Sequence, residues 1–418
     1  MASSPSRPAQ PFPLGKRELV AMLALAQALQ ALAIDSMLPG LGYIAHDLGV
    51  SDPNRRQLVV GVFLIGVGCG ALVPGTLADR YGRKPILLGT IAAYAVLCAA
   101  CAMARDFTVL ILFRFLCGLL SGGLGAICSA IIRDRFEGDR MASLQSLVFT
   151  VFMVVPMLAP TIGQAMLLLG GWRWIFGGMA LMGLAMAAWI WLRLPETLDP
   201  DNVQPISLAR IFGSTGEVLL CRPSIGYVVA SSMIMGVMWG YVQSCQQLLG
   251  EHFGAGASFP ILFGGMALFI AIGNFSNSKL VLKFGARRTG HTGLILYGLT
   301  ALAQFLLAHS GRETLWQFVP LMSLNMLFGA FIGSNFASIA LQPFARIAGA
   351  ASSLQLFVRT LAASFIGAAI GQAYDQSARP LSTAMVLASV TALALVLFSE
   401  NGRLFRRPNR PWTPPLTP

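Results

Sequence analysis

One carboxylate stands apart from the rest of the chain. Of 17 acidic residues, Asp35 alone lies well within an apolar run, in Ile34-Asp35-Ser36-Met37-Leu38-Pro39. An ionised acid surrounded by hydrocarbon is costly unless paired or hydrated, so such a group is a functional candidate by default. Low dielectric favours the neutral acid and a nearby cation favours the charged one; that competition makes a reversible proton carrier. The plainer alternative is an Asp that reaches the outer surface through the bend at Pro39.

Two arginines also lie inside apolar runs. Arg114 is the natural counter-charge for Asp35: at 1.5 Å per residue both sit about 9–12 Å below the same surface. Reaching outward to lipid headgroups is its alternative role. Arg359 falls near the middle of a later run with no acid nearby in sequence. A lone cation at that depth must face water or carbonyls, where it attracts electron-rich or anionic molecules or simply hydrates a cavity.

Softer candidates follow from polarity. Gln27 and Gln30 lie in the first run, and Trp239, Tyr241, Gln243 and Gln246 in the seventh. Asn274, Asn277, Asn325 and Asn335 lie in the eighth and tenth. Amides are poorly tolerated against lipid, so they face one another or a cavity, as interhelical glue or as ligand contacts. Enzyme chemistry has no foothold. The four histidines (His46, His252, His291 and His309) are scattered at run ends, with no metal spacing and no Ser/His/Asp set. There is no Gly-x-x-x-x-Gly-Lys-Ser/Thr loop, so no nucleotide, metal or other cofactor is expected. The Cys98/Cys101 pair has redox spacing but lies in an apolar run, where small buried residues are the simpler reading.

The elements that must position these groups are membrane helices. Hydrophobic residues make up 56% of the 418, charged residues 11%, and mean hydropathy is +0.69. Apolar stretches of about 20 residues recur, each long enough to cross a hydrocarbon core of about 30 Å. Twelve are read, the first over 18–42 and the last over 381–399. Helix is the only option, because lipid-facing backbone must be satisfied within its own segment. The alternating ten-residue strands of a membrane β-barrel are absent.

A duplication organises the twelve. The hairpin Gly75-Thr76-Leu77-Ala78-Asp79-Arg80-Tyr81-Gly82-Arg83-Lys84-Pro85 has a worn copy in Leu280-Val281-Leu282-Lys283-Phe284-Gly285-Ala286-Arg287. Leu77, Arg80, Gly82 and Lys84 map to Leu280, Lys283, Gly285 and Arg287 at one constant offset. Ser143-Leu144-Gln145 and Ile162-Gly163-Gln164-Ala165 recur as Ser353-Leu354-Gln355 and Ile370-Gly371-Gln372-Ala373. A Pro-rich stretch from Leu194 to Ser224 separates the copies. The expected layout is a tail over 1–17, a six-helix bundle over 18–193, a linker over 194–224, a second bundle over 225–399 and a tail over 400–418. Two such bundles leave a central cavity between them.

The net charge of +12 is topological. With both termini cytoplasmic, most of the 29 Lys and Arg fall on inner loops and tails, as the positive-inside rule requires. Nucleic-acid binding is thereby disfavoured. The first apolar run is too long for a cleaved signal.

With these residues in hand, the chain resembles the major facilitator superfamily, and within it the drug:proton antiporters. The hairpin over 75–85 resembles the first signature of that superfamily. Arg114 with Gly118 resembles its fourth-span signature, and Pro156 with Ala159-Pro160-Thr161-Ile162-Gly163 the antiporter signature of span five. Ile132-Arg133-Asp134, Gly171-Trp172-Arg173-Trp174-Ile175-Phe176 and Gly349-Ala350-Ala351-Ser352-Ser353-Leu354, with the Asp35 segment, narrow the likeness to the bicyclomycin/chloramphenicol-resistance subfamily. Gln164 departs from the glycine of that pattern.

The resemblance implies a monomeric, twelve-helix, proton-coupled exporter of hydrophobic or amphipathic drugs in the bacterial inner membrane, working by alternating access. It implies that Arg114 is tied to proton coupling. It further implies that Gly75, Asp79, Arg80, Gly82, Arg83 and Asp134 latch the halves on the cytoplasmic side, Arg83 pairing with Asp134 and Asp79 meeting the start of span eleven. Pro156, Pro160 and Gly163 would bend or seal the interface between halves. A proton-coupled carrier of a metabolite such as an amino acid or sugar is the alternative on the same fold. An uncoupled facilitator and a membrane-embedded enzyme or sensor are the remaining ones.

Overall fold

The computed structural model describes residues 14–71, 73–136, 138–199 and 221–405. The tail over 1–13, most of the linker (200–220) and the tail over 406–418 lie outside the described residues, as do the side chains at 345–350. Among the described residues all regular structure is helical.

The first half comprises α1 (Lys16–Asp35), α2 (Leu41–Asp47), α3 (Leu58–Gly70), α4 (Val73–Tyr81), α5 (Arg83–Ala102), α6 (Phe107–Ser121), α7 (Leu124–Arg135), α8 (Gly138–Gly170) and α9 (Trp172–Arg193). The second comprises α10 (Arg222–Cys245), α11 (Phe259–Phe284), α12 (Ala286–Ser310), α13 (Leu315–Leu341), α14 (Ala348–Gln372) and α15 (Arg379–Ser399). Among the described residues, eleven helical segments are long and apolar enough to cross a membrane. A twelfth forms if Arg55–Gly70 and Pro74–Tyr81, bent by 40°, are taken as one broken span. The bend has a local cause: Pro74 carries no amide hydrogen to continue the ladder. It turns the charged end of the second span away from the apolar part of α3.

Breaks occur where function is expected. α1 ends at Asp35, and a short 3-10 turn over Leu38–Gly40, opened by Pro39, leads into α2. The fourth span divides at Gly122–Gly123 into α6 and α7.

Helices in the first half meet through glycine. A Cβ on Gly66 or Gly70 would lie 2.3 and 1.9 Å from the carbonyls of Phe115 and Leu119. One on Gly118 or Gly122 would lie 2.1 and 2.4 Å from those of Phe63 and Val67. The reciprocal four-residue spacing brings the backbones of α3 and α6 into contact, as small residues do where lipid removes any hydrophobic drive to associate.

The halves touch along two seams. α3 packs on α14, where Ser364 Oγ donates to the Leu64 carbonyl at 2.8 Å. α8 packs on α11, where a Cβ on Gly264 would lie 2.8 Å from the Met157 carbonyl.

Candidate functional site

Asp35 is the last residue of α1 and only 7% exposed. Its neighbourhood is built by α8. Pro156 and Pro160 sit inside that helix, and Gly163, one turn further, is buried against α1. A Cβ on Gly163 would lie 2.0 Å from the carbonyl oxygen of Ser36. The segment read as the antiporter signature therefore presses on the backbone beside the buried acid.

The expected ion pair between Asp35 and Arg114 is not formed. Arg114 is fully buried on α6, where Nη2 donates to the Ala33 carbonyl and Nε to the Val59 carbonyl, each at 2.9 Å. Its guanidinium stacks over Phe63 at 4.3 Å, and Nη1 has no hydrogen-bond partner. The physical reason is the break in α1. The last carbonyls of a helix lack intrahelical donors, and an arginine beside the helix end supplies them. The matched depth foreseen for the two residues does bring Arg114 beside the helix end at Asp35, but it grips backbone instead of carboxylate.

The hairpin residues form a compact cluster at the end of the first bundle where α5 begins and α9 ends. Gly82 adopts a φ of 106°, open to glycine, and caps α5. Arg83, 5% exposed, donates through Nε to Asp134 at 2.9 Å and through Nη1 to Asp79. Arg80 is exposed and lies over the Tyr81 ring, and Gly75 faces Ala126 of α7. The expected contact of Asp79 with the start of span eleven falls on side chains outside the described residues.

Glu196, just past α9, completes this cluster and was not foreseen. Its carboxylate accepts from the backbone amides of Arg83 at 2.9 Å, Lys84 at 3.2 Å and Thr197 at 2.8 Å. An acid there meets the positive end of α5. The second half repeats the device: Glu400, just past α15, accepts from Arg287 Nε and from Tyr227 Oη, each at 2.7 Å. Burial raises the Glu400 carboxyl, but the bonds from Arg287 and Tyr227 outweigh it and hold the group below its ordinary pKa. The only signal in sequence was an acid following the last helix of each half.

At the opposite face a polar clasp joins the halves. Arg56 Nη2 pairs with Glu251 Oε2 at 2.7 Å, and Asn54 Nδ2 donates to the Tyr374 carbonyl at 2.8 Å. Gln372 Nε2 returns a bond to the Asn54 carbonyl at 2.9 Å, and Gln57 bonds Gln247. A cavity of about 490 Å³ at the same face is lined in part by Asn54, Gln247, Glu251 and Tyr374.

A cavity of about 400 Å³ lies in the second half and takes only Phe149 from the first. It brings together Asn274, Asn325 and Arg359 of the sequence candidates, with four methionines (Met235, Met238, Met322 and Met326) that were not foreseen. Other candidates lie elsewhere. Asn335 Nδ2 bonds Asn277 Oδ1 at 2.6 Å, which joins α13 to α11. Tyr241 is buried and stacks on Phe263 in the second bundle. Gln243 is wedged at the seam between α10, α3 and α14, beside Gly61 and Gly371, and Trp239 packs against Gly367. Gln27 and Gln30 lie half-buried on α1, with Gln27 near Gly125 of α7. Six polar side chains (Ser231, Asn274, Tyr297, Asn325, Ser334 and Arg359) in an otherwise apolar, methionine-lined space suit a small amphipathic molecule.

Comparison with known proteins agrees with this architecture. The family model described as Major Facilitator Superfamily matches residues 23–368. A bicyclomycin resistance protein homolog of Haemophilus influenzae is 28% identical over 92% of this chain and 96% of its own. The multidrug resistance protein MdtL of Escherichia coli is 28% identical over 93% of this chain and 96% of its own. A bacterial homologue of the human lysosomal transporter Spinster, solved in an inward-facing, occupied conformation, superposes with a TM-score of 0.72 at 16% identity, covering 94% and 97% of the two chains. The apolar spans and the family match lead to one conclusion: the chain belongs to the Major Facilitator Superfamily and is a multi-pass membrane transporter, not an enzyme.

Proposed function

We propose that the chain is a proton-coupled exporter of hydrophobic or amphipathic small molecules, a drug:H⁺ antiporter of the bacterial inner membrane with both termini in the cytoplasm. The observation that carries this reading is the separation of chemistries: an apolar cavity of about 400 Å³ in the second half, and a buried carboxylate at the Gly163–Ser36 contact in the first. Relatives named for bicyclomycin and multidrug resistance favour drug cargo over a metabolite.

In the proposed cycle Asp35 gains a proton from the outer side, cargo leaves, the halves rock, and the proton departs inward as new cargo binds. Proton entry supplies about 1.4 kcal/mol per pH unit plus about 2.3 kcal/mol per 100 mV. The clasp of Arg56 with Glu251 joins the halves at the outer face, so the described conformation is read as inward-facing. Arg114 holds the end of α1 in register while Asp35 changes charge. Gly75, Asp79, Arg80, Gly82, Arg83 and Asp134 stiffen the inner end of the first bundle, and Pro156, Pro160 and Gly163 let α8 bend between the halves. The chain is read as acting as a monomer.

The test is a susceptibility panel in an efflux-deficient bacterium expressing the wild type or Asp35→Asn. Wild type is expected to raise resistance to several amphipathic antibiotics, and Asp35→Asn to return it to the empty-vector level. Equal resistance in both strains rejects the proton-coupling role.

A further inference from the structure

The cavity carries a charge asymmetry that narrows its cargo. Arg359 of α14 reaches both that cavity and a smaller adjoining pocket of about 120 Å³. That pocket is lined by Ser352 and Gln355, nearer the start of α14, so the guanidinium stands between the cavity and that end of the helix. Its Nε is buried without a hydrogen-bond partner. Among the described residues no acid lines either space. The other polar groups are partly committed. Asn325 accepts from Thr300 at 2.9 Å and donates to the Leu321 carbonyl, and Ser231 donates to the Val228 carbonyl.

A half-buried cation whose Nε is buried and unpartnered attracts an acceptor, and an anionic one most strongly. Around it Met235, Met238, Met322 and Met326 offer a polarizable, deformable apolar wall. We infer that the cavity selects amphipathic organic anions: an apolar body held among the methionines and a carboxylate or similar acid held by Arg359. This rests on the reading of the chain as an exporter and names the charge class of its cargo. Amphipathic cations are disfavoured, because their charge would be buried beside Arg359 with no carboxylate to compensate it.

The test uses three amphipaths sharing one biphenyl body: biphenyl carboxylate, its neutral primary amide and biphenylmethylammonium. Binding to the full-length chain is measured in nanodiscs of phosphatidylcholine alone, so that no anionic lipid competes. Wild type is expected to bind the carboxylate at least ~10-fold more tightly than the ammonium, and Arg359→Gln to lose ~10-fold for the carboxylate while the amide changes less than ~2-fold. Arg359→Lys should retain the preference in part. Asn325→Asp, which puts an acid in the same cavity, should shift preference toward the ammonium and serves if Arg359→Gln fails to fold. An ammonium preference in wild type, or an unchanged preference in Arg359→Gln, overturns the inference. Resistance to neutral antibiotics in cells separates the two levels. Export of neutral drugs without anion preference sinks only this inference, whereas anion binding without any export sinks the exporter reading.

Discussion

Gly163 and Ser36 touch through backbone alone: a side-chain carbon on Gly163 would lie 2.0 Å from the Ser36 carbonyl oxygen. That contact couples the proline-containing helix α8 to the residue following Asp35. Any motion of α8 relative to the second half, which it meets at Gly264, is therefore transmitted to the surroundings of the acid.

Gly163→Ala should displace the α1–α8 contact, because no rotamer relieves a backbone clash. A destabilisation of about 1–3 kcal/mol is expected, typical of overpacking a close contact. Thermal unfolding in detergent reads the loss, and antibiotic export should fall with it. Normal stability together with normal export would mean that α8 does not need to approach Ser36.

Asp35→Asn should uncouple transport while sparing recognition, since the cavity lies in the other half. In proteoliposomes, substrate counterflow is expected to persist and uphill export driven by a pH gradient to stop. Loss of both would assign Asp35 to folding or to cargo binding.

The clasp at the face opposite the hairpin cluster predicts a conformational bias. Arg56→Ala removes the 2.7 Å pair with Glu251 and leaves a half-exposed acid, a change of about 1 kcal/mol for such a partly solvated bond. The equilibrium should shift toward opening of that face. A cysteine placed at Gln247, buried beside the clasp, should then react faster with an impermeant maleimide in the Arg56→Ala background than alone. The charge swap Arg56→Glu with Glu251→Arg should restore the slow rate.

Two loop carboxylates give opposite pH signatures. Burial raises Glu313, which accepts from Gln304 Nε2, from its ordinary value of 4.5 to about 7. Its favourable contribution is complete below 4.5 and is lost as pH rises through about 7, on the order of 1 kcal/mol after solvent screening. Glu400 is held low by Arg287 and Tyr227 despite its burial, so its contribution is present above its ordinary value of 4.5 and fades as pH falls below it. Melting temperature against pH should flatten on the alkaline side in Glu313→Gln and on the acid side in Glu400→Gln. Parallel curves for wild type and both variants would show that neither contact matters to stability.

Much of the scaffold was legible because lipid imposes it. Apolar length alone located the spans. The second span is a pair of helices bent at Pro74, which run length cannot reveal. Facing was harder to read. In water an apolar stripe marks the buried side of a helix, but here both lipid and bundle interior accept apolar residues, so periodicity loses its contrast. Polarity therefore identified Asn274, Asn325 and Arg359, which line the cavity, together with Tyr241, Gln243 and Asn335, which do not. The methionines stayed hidden because in sequence they resemble any other apolar residue. Arg114 bonds the Ala33 carbonyl and not the Asp35 carboxylate, because competition from helix-end carbonyls depends on where α1 breaks, which sequence does not show. Glu196 and Glu400 went unread because their ligands are main-chain amides and distant side chains.

Because the cavity draws on the first half only through Phe149, the proposed cycle assigns cargo recognition and proton exchange to different halves of the chain. Mutations that reshape the methionine wall can broaden or redirect the drug spectrum without touching Asp35. A lineage under changing chemical attack can therefore vary one half and keep the engine in the other untouched.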